Sequence, residues 1–234
     1  IRLSLVGSEM CIRDSFGPFT ICSFSPERFI KLNNNIITTS PIKGTIKRSD
    51  DPVIDNQLKE ELSSSEKNIA ENLMIVDVLR NDISRVSKKG SVEVTELAKI
   101  KSYKNVHHLV STIKGLLAEK LDAIDLLFAT LPGGSITGAP KIRAMEIISE
   151  LEKNRRGVYC GAIGFISFSK DSDFNIPIRT LTIADNTISI NCGGGIVSDS
   201  NAESEYQESI DKIENILREN RKKIIKQSSN VNQK

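Results

Sequence analysis

The sequence predicts one α+β domain, and three observations carry that reading. Strand-like and helix-like segments alternate along the chain, each bounded by Gly, Asn, Asp or Pro. No internal repeat and no clear linker divides it. At 234 residues it is long enough to bury a sizeable core.

The opening stretch, IRLSLVGSEMCIRDS, keeps neither a helical nor a strand period, the alternative being an ordinary first strand over Ile1 to Val6. It resembles translated sequencing-adapter read-through, so residues 1–15 are expected to be non-native, with native sequence beginning near Phe16. From there FTICSF and NIITTS read as short strands joined by the turn around Ser25-Pro26-Glu27. A long helical run follows from about Asp55 to Val86, broken near Ser63-Ser64-Ser65. Within it positions 71, 75, 78 and 82 share one face, which sets Glu71 in line with Ile75 and Val78. A carboxylate on an apolar face calls for a partner.

SVEVTEL then reads as a strand and Leu121 to Ala129 as a helix. The glycine-rich LPGGSITGAPK leads into the helix APKIRAMEIISELEK, whose start is marked by Pro140. YCGAIGFISF, FNIPIRTLTIA and TISINCGGG read as strands. The last element is the helix ESEYQESIDKIENILREN, with Tyr206, Ile210, Ile213 and Leu217 forming an apolar seam. Residues 222–234, rich in Lys, Asn and Gln, read as a solvated tail, which leaves 16–221 as the folded domain.

Composition removes several classes of partner. With 32 Lys+Arg against 30 Asp+Glu, the net charge of +2 gives no concentrated basic face, so nucleic acid is not expected. No apolar run approaches the roughly 18 residues of a membrane span, and no secretory leader is visible. The expected setting is the cytoplasm and the expected ligand a small molecule. The four cysteines are scattered without a CxxC pair, which favours reduced thiols over a metal site. His107 and His108 are adjacent and point in different directions, so at most one serves a ligand.

Three clusters can carry chemistry. In the last helix Glu205, Glu208 and Lys212, at i, i+3 and i+7, stack on one face: either a charge ladder or, with Glu71, a carboxylate set for a hard cation such as Mg2+. LPGGSITGAPK has the glycine spacing of a phosphate loop, but Ala139-Pro140-Lys141 replaces the required Gly-Lys-Ser/Thr ending. Proline donates no amide hydrogen and the lysine is displaced into a helix, so phosphate binding is disfavoured. The loop still offers amides and the hydroxyls of Ser135 and Thr137. CGGGIVSDS can bring backbone amides close to a carboxylate or simply form a turn. Arg179, read as strand-borne, pairs either with a ligand carboxylate or with an internal acid.

The segments SPERF, PIKGT, AENLMIVDVLRND, VHHLVST, PGGSITGAPKIRAMEII, RRGVYCGAIGF, IRTL, GGGIVSDS and EYQES occur in an order that resembles the chorismate-binding enzymes. Within that family the likeness is to the aminodeoxychorismate synthase component I type, a relative of anthranilate synthase component I, and it spans Phe24 to Leu217. It implies an α/β sandwich of two antiparallel sheets flanked by helices, truncated here at the N-terminus. It also implies Mg2+, anchoring a chorismate carboxylate through Glu71 and Glu208 with Glu205 close by.

Implied substrate contacts are Gly44, Thr45, Tyr159, Arg179, Lys212 and the backbone of Gly193, Gly194 and Gly195, with His108 and Ser135 near the ring and its C4 hydroxyl. Anthranilate synthases usually read PIAGT where this chain reads PIKGT, so Lys43 points to amination at C4 without loss of pyruvate. The implied chemistry has Lys43 attack C2 while Glu27 protonates the departing C4 hydroxyl; His108 completes the catalytic set. Ammonia then enters at C4 and expels the lysine. No glutaminase Cys-His-Glu arrangement is evident, so a glutamine amidotransferase subunit is expected to supply the ammonia.

Overall fold

The computed structural model describes residues 4–6, 9–185, 187–198 and 200–214. Its first strands are β1 (Ser4–Val6), β2 (Glu9–Phe16), β3 (Phe19–Ser25), β4 (Arg28–Asn33), β5 (Ile36–Thr39) and β6 (Ile42–Lys47). Helices α1 (Pro52–Ser64) and α2 (Glu66–Ser84) follow, then β7 (Glu93–Ser102) and β8 (Val106–Leu116). Next come α3 (Ala123–Thr130), the single turn α4 (Gly134–Thr137) and α5 (Lys141–Leu151). The chain continues through β9 (Ile163–Ile166), β10 (Ser172–Asn175), β11 (Thr180–Ala184) and β12 (Thr187–Asn191) to helix α6 (202–214).

The strands make two antiparallel sheets, one ordered β1-β2-β3-β11-β12 and the other β6-β8-β5-β4-β10-β9, with β7 also paired to β8. Helices α1 and α2 pack on the second sheet. The expected sandwich of antiparallel sheets and helices is therefore present. Among the described residues no helix is long and apolar enough to cross a membrane.

Local chemistry explains the helix ends. Asp51 caps α1 by accepting from the amides of Val53 and Ile54, and Pro52 occupies the first turn. Ser65, in extended conformation, ends α1 and caps α2, so the serine cluster is the break that was expected. Ile75, Val76, Leu79 and Ile83 of α2 then bury against Phe29, Ile30, Ile37 and Ile113 of the second sheet, closing the core with Leu126 of α3. Fully burying each such side chain contributes about 1.5–3 kcal/mol.

Several expectations need correction. The bend at Ser25-Pro26-Glu27 does not join FTICSF to NIITTS; it leads into β4, which the charged RFIKLN pattern hid. VHHLVSTIKGL is one long central strand, buried on both faces, so it shows no alternation. FNIPIRTLTIA is two strands separated by residues 176–179, and Arg179 stands in that break with φ +52 rather than on a strand. The opening stretch pairs as strand from Glu9, in register with β3, although its own pattern is irregular. Leu217 and the expected tail 222–234 lie outside the described residues.

Candidate functional site

Two strand pairs cross between the sheets at one corner, and this corner builds the site. β3 runs through Pro26-Glu27 into β4, while β10 runs through 176–179 into β11; β3 pairs with β11 and β4 with β10. At the crossing the Ile176 amide donates to the Glu27 carbonyl at 3.1 Å, and the Phe24 amide to the Arg179 carbonyl at 3.1 Å. The Glu27 amide donates to Ser25 Oγ at 3.2 Å, which fixes the bend from inside. Glu27 is thereby held buried, and burial pushes its carboxyl up to about 7 from an ordinary 4.5. Ser135 and the positive charge of Lys43 pull weakly the other way, so both groups sit within electrostatic reach of that carboxyl.

PIKGT lies on β6, beside β8. Thr45 is registered opposite His108, and its Oγ1 meets His108 Nδ1 at 2.8 Å. Burial, then the Arg179 charge, pulls the His108 pKa below its ordinary value, which favours neutral imidazole. The ring of Tyr103 packs edge-on against it at 5.4 Å. His107 faces the other way and is structural: it lies 3.0 Å from Asp55 and 2.8 Å from Ser102. The Arg48 fork on Asp55 holds that carboxyl far below the usual range. Adjacent residues on a strand thus take separate duties, as their spacing required.

Gly44 has φ +83, and a Cβ there would lie 3.0 Å from both Asn68 Cγ and Leu62 Cδ1. Only glycine lets this turn nest against α1 and α2. The next residue back, Lys43, brings Nζ to 3.8 Å from Glu71. Glu71 is half-buried, and the partner its position called for is this ammonium.

LPGGSITGAPK packs by its glycines rather than presenting them to a phosphate. A Cβ on Gly133 would touch Ile176 and Phe29, each at 3.3 Å, and one on Gly134 would meet Val78 Cγ1 at 2.6 Å. The 71–75–78–82 face of α2 is therefore the face under the site: Glu71 meets Lys43, Val78 lies beneath Gly134, and Asp82 accepts from Lys141 at 2.6 Å. Ser135 Oγ is buried beside Glu27 without a hydrogen-bond partner among the described residues. An orphaned hydroxyl beside a protonatable carboxyl suits a polar group of a ligand.

A cavity of about 90 Å3 opens next to this corner, lined by Tyr159, Ile178, Arg179, Cys192, Gly193 and Lys212 among others. Burial raises the Tyr159 phenol, so it stays protonated and can donate. Lys212 Nζ donates to the Gly193 carbonyl at 3.1 Å and pairs with Glu208 at 2.6 Å. A Cβ on Gly194 would lie 3.1 Å from Glu205 Oε2 and one on Gly195 3.7 Å from Lys43 Nζ, so the glycine run threads between α6 and β6. Glu208–Lys212 is the i, i+4 pair of a charge ladder, and the same face meets the glycine run.

Among the described residues no three His, Cys, Asp or Glu side chains converge as a metal cage. Glu71 pairs with Lys43, which lies beside Gly195, while Glu205 lies beside Gly194 and Glu208 pairs with Lys212. That donor set fits a hard cation taking one or two protein carboxylates, with ligand and water completing the shell. Cys22, Cys160 and Cys192 are free thiols, as the spacing indicated.

Sequence reasoning missed Ser25 and Asp82. Ser25 stands two residues before Glu27 within the bend, and Asp82 was placed on the correct face of α2 without a partner for it.

A family model described as chorismate binding enzyme matches residues 9–218. Aminodeoxychorismate synthase component 1 of Salmonella typhimurium is 56% identical over 197 residues, covering 84% of this chain and 43% of that protein. Anthranilate synthase component 1 of Aquifex aeolicus is 45% identical over 203 residues, covering 87% of this chain and 41% of its own length. The crystal structure of anthranilate synthase component I from Streptococcus pneumoniae TIGR4 superposes with a TM-score of 0.79 at 44% identity, covering 86% of this chain and 44% of the other. The chain thus spans less than half the length of these relatives. With the family model covering nearly the whole chain, the conclusion is that this chain belongs to the chorismate binding enzyme family.

Proposed function

We propose that the chain carries the catalytic site of an aminodeoxychorismate synthase component I, aminating chorismate at C4 to 4-amino-4-deoxychorismate for p-aminobenzoate and folate synthesis. The observation that carries the reading is Lys43: its ammonium stands between Glu71 and the Gly195 backbone, within electrostatic reach of the buried Glu27. The higher identity to aminodeoxychorismate synthases than to anthranilate synthases supports the same choice.

Lys43 attacks C2 as the neutral amine, after giving up its proton. As the new C2–N bond forms, the ring double bonds shift and the C4–O bond breaks. Glu27, protonated near neutrality by its burial, gives its proton to the leaving hydroxyl, which departs as water. Ammonia then adds at C4, the double bonds shift back and the C2–N bond to Lys43 breaks, releasing the amine. In this proposal Ser135 and His108 orient the C4 hydroxyl and the ring, and Arg179 and the amides of Gly193–Gly195 take the carboxylates; the unpartnered Ser135 hydroxyl, the Thr45–His108 contact and the cavity lined by Arg179 and Gly193 support it. Glu71 and Glu208, with Glu205 beside them, would hold Mg2+, which would supply positive charge against a substrate carboxylate. A glutamine amidotransferase subunit is the source of ammonia in this proposal.

The test is product analysis of the chain with chorismate, Mg2+ and ammonium. Aminodeoxychorismate is expected, and Lys43→Ala abolishes it. Without ammonia the intact mass should rise by chorismate less one water, on Lys43. Release of pyruvate with anthranilate would instead establish anthranilate synthase, and full activity of Lys43→Ala would remove the covalent lysine.

A further inference from the structure

Lys141 ends the glycine loop but does not face the proposed reaction. Its Nζ donates to Asp82 Oδ2 at 2.6 Å and to the Thr130 carbonyl at 3.1 Å. Thr130 closes α3 and Lys141 opens α5, so one ammonium ties together the two ends of the loop between them and anchors both to α2. Asp82 is 3% exposed. Isolating its charge there would be costly, and its burial raises its pKa; Lys141 and then Arg85 oppose the rise.

A second strap holds the same loop from the other side. Arg156 Nη1 donates to the Ile136 carbonyl at 3.2 Å, while its fork grips Glu152 at 2.8 and 2.6 Å. Ser135 is the residue between Gly134, pressed on Val78, and Ile136, tied to Arg156. Its own hydroxyl has no hydrogen bond to hold it among the described residues. The place of that hydroxyl beside Glu27 is therefore set by the loop backbone, and the loop backbone by its straps.

We propose that Lys141 and Asp82 are positioning residues: their buried ion pair fixes the glycine loop on the Glu71-bearing face of α2 and so holds Ser135 at the Glu27 corner, where Gly133 packs on Phe29 and Ile176. The role rests on reading Glu27 and Ser135 as parts of the site, but its test needs no turnover. A buried ion pair contributes little to stability and is better suited to selecting one arrangement among several. A neutral pair of similar size would keep the fold and loosen the loop.

The test follows the titration of the Glu27 carboxyl by infrared or carbon NMR, assigned by its absence in Glu27→Gln. Ser135→Ala removes the hydroxyl that opposes the effect of burial on Glu27 and should raise the midpoint by up to about one pH unit, the most that one neutral hydroxyl contributes. Lys141→Met should raise it equally, and Lys141→Met with Ser135→Ala no further. Lys141→Arg, which keeps the charge, should leave the midpoint near that of the parent chain. Because Lys141→Met leaves Asp82 without its ion-pair partner, the neutral pair Lys141→Met with Asp82→Asn is measured beside it and should give the same rise. A folded neutral pair with an unmoved midpoint would overturn the positioning role. So would a Ser135→Ala chain that titrates like the parent. Failure of the parent to turn over chorismate would count against the proposed function alone, since the titration reads the loop directly.

Discussion

Glu27→Gln separates the electrostatic account of the corner from a purely steric one. Burial raises the Glu27 carboxyl from 4.5 to about 7. At about 1.4 kcal/mol per pH unit, ionised Glu27 is about 3 kcal/mol less favourable in the folded chain than in the unfolded one. The folded state binds the proton more tightly, so no penalty exists below about pH 4.5. The penalty grows as pH rises and is complete above about 7. Glutamine keeps the shape and never ionises. Urea unfolding of both chains at pH 5 and pH 8 should therefore show Glu27→Gln gaining about 2.5 kcal/mol on the parent between the two conditions, since part of the penalty is already present at pH 5. A stability difference that is the same at both pH values would refute the raised carboxyl and, with it, the use of Glu27 as an acid near neutrality. The same titration should give turnover a falling limb near pH 7, absent from the stability of Glu27→Gln.

Other substitutions test the packing. Gly44→Ala puts a Cβ in the left-handed region and against Asn68 and Leu62, and should cost about 1–3 kcal/mol by urea unfolding. Gly134→Ala overpacks against Val78 and should cost about 1–3 kcal/mol; Val78→Ala in the same chain should recover most of it, and additivity of the two would refute the contact. Chelation of Mg2+ by EDTA should stop chorismate turnover without changing far-ultraviolet circular dichroism, and Glu208→Gln should raise the Mg2+ concentration for half activity by about tenfold, as loss of one charged ligand contact implies.

The sequence by itself determined most element types and named the candidate site residues. Helical periodicity placed Glu71, Val78 and Asp82 on one face of α2, and that face lies under both the PIKGT turn and the glycine loop. Strand alternation separated His107 from His108. Ordered motifs indicated the family, because each segment kept its neighbours. Local pattern could not show β4 or β8, since β8 is buried on both faces and β4 buries consecutive residues between charged ones, so both lose the two-residue period.

Only the tertiary structure decided why those residues act together. Glu27 and Arg179 are 152 positions apart and come to one corner because the β3–β4 and β10–β11 connections cross there between the sheets. The raised Glu27 carboxyl follows from that bend: burial depends on what closes over a group, and the covering loop comes from another part of the chain. Lys141 likewise looks in sequence like a misplaced phosphate ligand, and the fold turns it inward to a carboxylate on α2. Spacing along a chain fixes which face a side chain shares, whereas its charge state and its partner are set by contacts that spacing does not contain.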